Sequence, residues 1–278
     1  MSSLVFGIVC FREKFWETES FISLIESFKQ SVSCNNIIIY IYDNTDFEYW
    51  SVSNEFEIAE NIKIFYFWDS KNTGISAAYN HIAKFANNNA VEWIVFLDQD
   101  TFLPLDFVEK YFERCKETSK KILFPKVYSN QALLSPSIYR FYRTFKIKKL
   151  GNEIMLKHIT AINSGLMIQT NFFFQHHGYD SCLKIDFCDH EFIERINNKN
   201  IIAEIINIRL EQNFSGNSNN LQKSLDRYKI YLNDLKSYSK NKNKILIFFM
   251  LDFPHLLKET FRNKSLAFLK IRYYFGRK

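Results

Sequence analysis

The densest chemistry in the chain sits where an apolar run stops. Trp93-Ile94-Val95-Phe96-Leu97 leads directly into Asp98-Gln99-Asp100. In an extended backbone, residues two apart face the same side, so both carboxylates share one surface. Like charges that close repel unless something cationic sits between them. A hard divalent cation with oxygen ligands, shared with substrate phosphates, meets that need. A solvated strand end whose Asp residues cap a helix starting near Leu105 fits the same residues. A second stretch runs from Asp69-Ser70-Lys71-Asn72-Thr73-Gly74 into Ile75-Ser76-Ala77-Ala78-Tyr79-Asn80. It closes a strand, turns at Gly and opens a helix with small residues, a place where backbone N–H groups can meet phosphate. An ordinary turn capped by Thr73 fits as well, and neither a P-loop nor a GxGxxG fingerprint is present. The third stretch, Ile185-Asp186-Phe187-Cys188-Asp189-His190-Glu191-Phe192-Ile193-Glu194-Arg195, clusters acids and a His where a helix begins. A carboxylate there can act as a general base, or can simply favour a first helical turn. His176-His177 has no second ligand pair at helical spacing and reads as part of a loop.

These residues need a frame. Residues 4–10, 37–42, 62–67, 93–97 and 122–124 are apolar runs of strand length. Between them, residues 16–28, those after Gly74 and residues 105–115 carry helical periodicity, for example Phe21, Leu24, Ile25 and Phe28. Apolar strands alternating with amphipathic helices predict an α/β fold, with a mixed, mostly parallel central sheet and helices on both faces. In such sheets ligands bind beyond the carboxyl ends of the strands. That points to Arg12, Asp43, residues 69–72 and residues 98–100. Further on, residues 128–157 read as a surface excursion, 160–169 and 201–210 as strands, 185–197 as a short extended piece entering a helix, and 211–220 as a polar loop. Residues 221–278 read as helices with basic faces.

Composition narrows the class. Of 278 residues, 47% are hydrophobic and 24% charged, with only 7 Gly and 4 Pro, which excludes collagen-like and globally disordered chains. The five cysteines, Cys10, Cys34, Cys115, Cys182 and Cys188, form no CxxC pair, so neither a zinc ribbon nor a disulfide framework is expected, and a reducing compartment fits. The apolar run near Met1 follows no basic residue and reads as a strand rather than a signal peptide. Residues 245–251 fall far short of the ~20 needed to span a bilayer. The net charge of +6 is concentrated in the tail: residues 221–278 hold 14 Lys/Arg and 4 Asp/Glu, against 22 and 26 in residues 1–220. The chain therefore divides into residues 1–220 and a basic amphipathic extension, 221–278. Such an extension suits an anionic membrane surface, or packing on the core or a second subunit. No nucleic-acid reader motif appears, and none is expected as a partner.

Taken in order, the motifs resemble the inverting family 2 glycosyltransferases with the GT-A fold, most of all the bacterial rhamnosyltransferase-like branch. The resemblance rests on residues 5–10, Tyr42-Asp43-Asn44-Thr45, Asn72 and Gly74 with Asn80, and Leu97-Asp98-Gln99-Asp100. It continues through Asn163-Ser164-Gly165 and Ile185 to Glu191 leading to Arg195, and covers residues 4–216. It implies that Asp43 contacts the nucleotide base, that Asn72, Gly74 and Asn80 shape the nucleotide pocket, and that Asp98 and Gln99 lie on the nucleotide sugar. It further implies that Asp100, with Asp98, binds Mn²⁺ or Mg²⁺ on the diphosphate, and that Asp189 is the general base, with Asp186 and Glu191 as supporting acids or sugar contacts. Two positions depart from the pattern. Gln212 stands where many relatives have a His that helps hold metal or diphosphate, and Cys188 where many have an acid. The implied partners are a nucleotide-diphosphate sugar, rhamnose favoured by the DQD form, and a lipid-linked acceptor of a bacterial surface glycan such as O-antigen or capsule. The implied place is the cytoplasm, at the inner face of the membrane. Two alternatives compete: a haloacid-dehalogenase-type phosphohydrolase, which also ends a strand in DxD, and a non-catalytic membrane-surface or assembly protein retaining the fold.

Overall fold

The computed structural model describes residues 4–32, 34, 36–47, 55–59, 61–197, 200–213 and 220–276. Strand β1 (Leu4–Cys10) is buried along its whole length. Leu4, Phe6, Ile8 and Cys10 enter one apolar layer, and Val5 and Val9 the other. This is the pattern of a central strand covered on both faces. Helix α1 (Glu19–Gln30) starts at Thr18, whose side chain accepts the Phe21 N–H and so satisfies one otherwise unpaired helical donor. The first half continues through β2 (Ile37–Asp43), β3 (Glu55–Ala59), β4 (Ile62–Trp68), α2 (Ile75–Asn88), β5 (Trp93–Asp98), β6 (Thr101–Phe102) and α3 (Phe107–Glu117). The second half holds β7 (Ile122–Ser129), β8 (Ala132–Ser135), β9 (Ser137–Arg140), β10 (Arg143–Phe145), β11 (Glu153–Met155), β12 (Ile159–Thr160) and β13 (Met167–Gln169). After these come α4 (Thr170–Gln175), α5 (Cys188–Asn197), β14 (Ile202–Gln212) and α6 (Leu221–Tyr238). The chain then runs through α7 (Lys244–Ile247), a π-helical turn (Phe248–Asp252), α8 (Phe253–Arg262) and α9 (Ala267–Phe275).

The main sheet has the order β11-β14-β7-β13-β5-β1-β2-β4-β3. β5, β1, β2 and β4 are mutually parallel, while β13 runs antiparallel between β5 and β7. The fold is the expected mixed α/β sandwich. Helices α1 and α3 cover one face, and α2, α4, α5 and α6 the other. Gly7 of β1 lets α2 come close, since a Cβ there would lie 2.5 Å from Ile82.

Several local expectations change. Residues 160–169 form not one strand but β12, a turn with Gly165 at φ +78°, and β13; β12 belongs to a separate small sheet, β10-β9-β12. The excursion at 128–157 is built of short strands. Helix α5 starts at Cys188 because Phe187 takes a left-handed φ of +67°. β14 extends to Gln212, and residues 214–219 of the expected polar loop lie outside the described residues. In the basic tail, α6 sends Tyr228, Tyr231, Leu232, Leu235 and Tyr238 into the core layer that also holds α2 and α5. Among the described residues, no helix is long and apolar enough to cross a membrane.

Candidate active site

Strand register gathers the polar strand ends. Cys10 lies opposite Asp43, Val9 opposite Asp98, and Asp43 opposite Trp68. Asp43, Asp69 and Asp98 therefore line one sheet edge, the carboxyl edge where α/β sheets take ligands. Asp43 is buried, accepting the Tyr66 hydroxyl at 3.0 Å and the Thr45 N–H at 2.9 Å. Asp69 accepts the Thr73 hydroxyl (2.5 Å), the Thr73 N–H (2.7 Å), the Lys71 N–H (3.0 Å) and the Tyr42 hydroxyl (3.1 Å). Burial alone would raise its pKa, but these four hydrogen bonds prevail and hold it below the ordinary value.

The turn that follows is tightly fixed. Asn72 and Gly74 have φ of +47° and +101°. A Cβ on Gly74 would lie 2.3 Å from the Lys184 carbonyl oxygen, which accepts the Ile75 N–H at 2.7 Å. The start of α2 is thus pressed against the segment that leads to Asp189. Asn80 ties α2 to the Tyr179 loop: its amide donates to the Tyr179 carbonyl (2.8 Å) and accepts the Tyr179 N–H (2.9 Å).

At the end of β5, Asp98 accepts the Tyr79 hydroxyl at 2.6 Å and the Ser164 hydroxyl at 2.5 Å. Burial raises its pKa; the two hydroxyls counter this, and the charge of Asp189 adds to the rise. Gln99 turns to the segment after β1, accepting the Phe11 N–H (2.6 Å) and donating to Glu13 (2.8 Å). Asp100 has one hydrogen-bonding side chain among the described residues, the Gln212 amide at 3.3 Å. Burial first, then the neighbouring charge of Asp98, push its pKa up to about 6.

Asp189 opens α5 and accepts the His190 N–H at 2.7 Å. The Asn163-Ser164 turn links it to the strand ends. Ser164 holds Asp98, while the Asn163 amide lies 3.5 Å from Cys188 Sγ and accepts the Tyr179 hydroxyl at 2.5 Å. The other two acids implied as catalytic are engaged elsewhere. Asp186 takes two hydrogen bonds from Arg227 of α6 (2.6 and 2.7 Å), and Glu191 takes two from Arg195 (2.8 and 2.9 Å). Both acids thus sit in arginine ion pairs.

No group of three His, Cys, Asp or Glu side chains forms a metal cage among the described residues. The residues do fit a cation that takes its remaining oxygens from a ligand. Asp100 is a carboxylate strained by burial and a like charge, and Gln212 Oε1 is buried without a hydrogen-bond partner. A cation beside them relieves both. Sequence reasoning missed Tyr42, Tyr66, Tyr79, Arg227 and Asp234 as partners of the acids. Their pairings span from 19 to 48 residues of chain and leave no local pattern.

No curated protein sequence matches the chain. Among solved structures, S. aureus TarS 1-349 superposes with a TM-score of 0.52 at 13% identity, covering 87% of this chain and 66% of that one. A second structure, of S. aureus TarS, gives a TM-score of 0.53 at 13% identity, covering 92% and 47%. GalNAc-T7 with UDP, GalNAc and Mn²⁺ gives 0.52 at 12% identity, covering 90% and 56%. This chain thus spans between about half and two thirds of those proteins, and at such identities the likeness is one of fold. The family model for glycosyl transferase family 2 matches residues 8–180, which include the end of β1, the carboxyl edge of the sheet, Asp98 and Asp100. The chain belongs to glycosyl transferase family 2.

Proposed function

We propose that the protein transfers a sugar from a nucleoside-diphosphate donor to a hydroxyl of a lipid-linked glycan, with inversion at the anomeric carbon. One observation carries this reading: the Asn163-Ser164 turn joins the acidic end of β5 to the start of α5, through Ser164 on Asp98 and Asn163 on Cys188, the neighbour of Asp189, whose charge helps raise the pKa of Asp98. A donor diphosphate at the sheet edge and an acceptor hydroxyl at Asp189 would then flank one anomeric carbon.

Each group has a task in that reading. Asp43 and Asp98 lie at the edge that receives the nucleoside, their orientations fixed by Tyr66, Tyr79 and Ser164. Asp100 and Gln212 would hold Mn²⁺ or Mg²⁺, which when bound neutralises charge on the departing diphosphate. Asp189 takes the proton from the attacking hydroxyl, a role worth ~10²–10⁴-fold in rate. Asp186 and Glu191 hold the walls through Arg227 and Arg195. Membership of family 2 sets aside the phosphohydrolase alternative. The DQD form favours rhamnose as the sugar by resemblance, whereas TarS 1-349 has been solved with UDP and with UDP-GlcNAc. A lipid-linked acceptor would place the protein at the cytoplasmic face of the membrane.

The test is donor hydrolysis and binding across a panel of UDP- and dTDP-sugars with Mn²⁺, Mg²⁺ or EDTA. Metal-dependent turnover of one donor supports the reading and names the sugar. No binding of any donor by folded protein with metal present contradicts it and favours the assembly-protein alternative.

A further inference from the structure

We propose that residues 244–276 form a docking surface for an anionic lipid bilayer. The first observation is two-sided apolarity. Ile247, Leu256 and Phe268 of this segment are buried against the protein. On the outside, Ile245 (71% exposed), Phe249 (60%), Phe261 (75%), Leu266 (68%) and Tyr274 (64%) face away from it. One apolar stripe packs a surface helix on its core. Large apolar side chains exposed in this number within one short segment call for another apolar phase.

The second observation is how charge is sorted. Residues 239–276 contain two acids, Asp252 and Glu259. Asp252 is 3% exposed and gripped by Arg272 at 2.5 Å, and the Glu259 side chain is 12% exposed. Lys240, Lys244, Lys258, Arg262, Lys264 and Lys270 are all exposed. The acids are withdrawn and the cations presented, interleaved with aromatic and aliphatic side chains. Helices of that kind lie in the headgroup layer of anionic membranes, and each basic group near such a surface strengthens binding about fivefold. A cleft of about 310 Å³ between α6 and these helices is lined by Lys236, Lys244, Ile247, Phe248 and Phe275, and by Asp252 with its partner Arg272. With Asp252 matched by Arg272, the lysines beside apolar walls suit a phosphate headgroup above its acyl chain.

The surface stands independently of the transferase reading and is tested without a donor. The full chain is sedimented with vesicles of phosphatidylcholine, and with vesicles of phosphatidylcholine mixed with phosphatidylglycerol. The expected result is binding to the mixed vesicles alone, weakening as salt rises. Lys258→Glu, Lys264→Glu and Lys270→Glu together should lower that binding at least about tenfold. Phe249→Ser and, separately, Phe261→Ser should lower it too, with unchanged thermal midpoints because both rings are mostly exposed. Equal or absent binding to the two vesicle types would overturn the proposal. So would variants that bind like the parent, or self-association of the chain that Phe249→Ser abolishes while vesicles are ignored. Donor hydrolysis by the same preparation reports on the transferase reading separately.

Discussion

Two sets of carboxylates are held in different ways. At the sheet edge, Asp43, Asp69, Asp98 and Asp100 are met by hydroxyls, N–H groups and an amide, and no Lys or Arg pairs with them among the described residues. Around α5 and the tail, Asp186, Glu191, Glu194 and Asp252 are matched to Arg227, Arg195, Lys242 and Arg272. The first arrangement orients a carboxylate while leaving its negative charge uncompensated. The second cancels the charge and, outside the Glu191–Arg195 pair within α5, fastens one element to another. Asp189, which opens α5 amid the paired acids, has no Lys or Arg partner among the described residues, so it falls with the first set. Uncompensated charge in a half-buried site repels itself and is retained where a cation or a proton must be received.

This contrast can be sharpened by substitution. The largest effect is expected at Asp100. Asp100→Asn should lower metal-dependent donor affinity by about 100-fold, because a bound cation contributes several kcal/mol. The same change should raise the melting temperature of the metal-free protein. The sign follows from its raised pKa: the penalty is absent below the ordinary carboxylate range and grows as pH rises through about 6. The gain from Asn should therefore be small near pH 4 and larger near pH 8 in thermal melts, while metal affinity of the parent falls as pH drops below about 6. Next comes Asp234, buried in α6, which accepts the N–H groups of Lys184, Ile185 and Asp186 at 2.8–2.9 Å. Asp234→Ala leaves those donors without their acceptor and should cost ~1–3 kcal/mol in denaturant unfolding. It should also raise the acceptor KM more than the donor KM. The smallest effect is expected at Arg227, whose side chain is 44% exposed. Arg227→Ala should destabilise by ~0.2–1 kcal/mol, read from the same unfolding curves.

The strands and the carboxyl edge were legible because both are local. β1, β2, β4 and β5 are continuous apolar runs, and Asp98-Gln99-Asp100 ends one of them. What sequence pattern could not show was how the acids divide. Asp186 and Asp189 lie three residues apart in one motif, yet Asp186 meets an arginine 41 residues on and Asp189 does not. The charge of the tail left open whether it meets a membrane or packs on the core; the Tyr228, Tyr231 and Tyr238 rings lie on the inward side of α6, and α6 packs in the main core. The break in residues 160–169 was hidden because Ile162, Leu166 and Met167 look strand-like, while the turn depends on one left-handed Gly165.

The contrast between the two sets is tested most directly by turnover of Asp189→Asn beside Asp186→Asn, measured at equal folded fraction with saturating donor and metal. The account predicts that Asp189→Asn loses ~10²–10⁴-fold in kcat with donor affinity kept, while Asp186→Asn keeps kcat within about tenfold. A large loss of kcat in Asp186→Asn together with near-normal turnover in Asp189→Asn would contradict it.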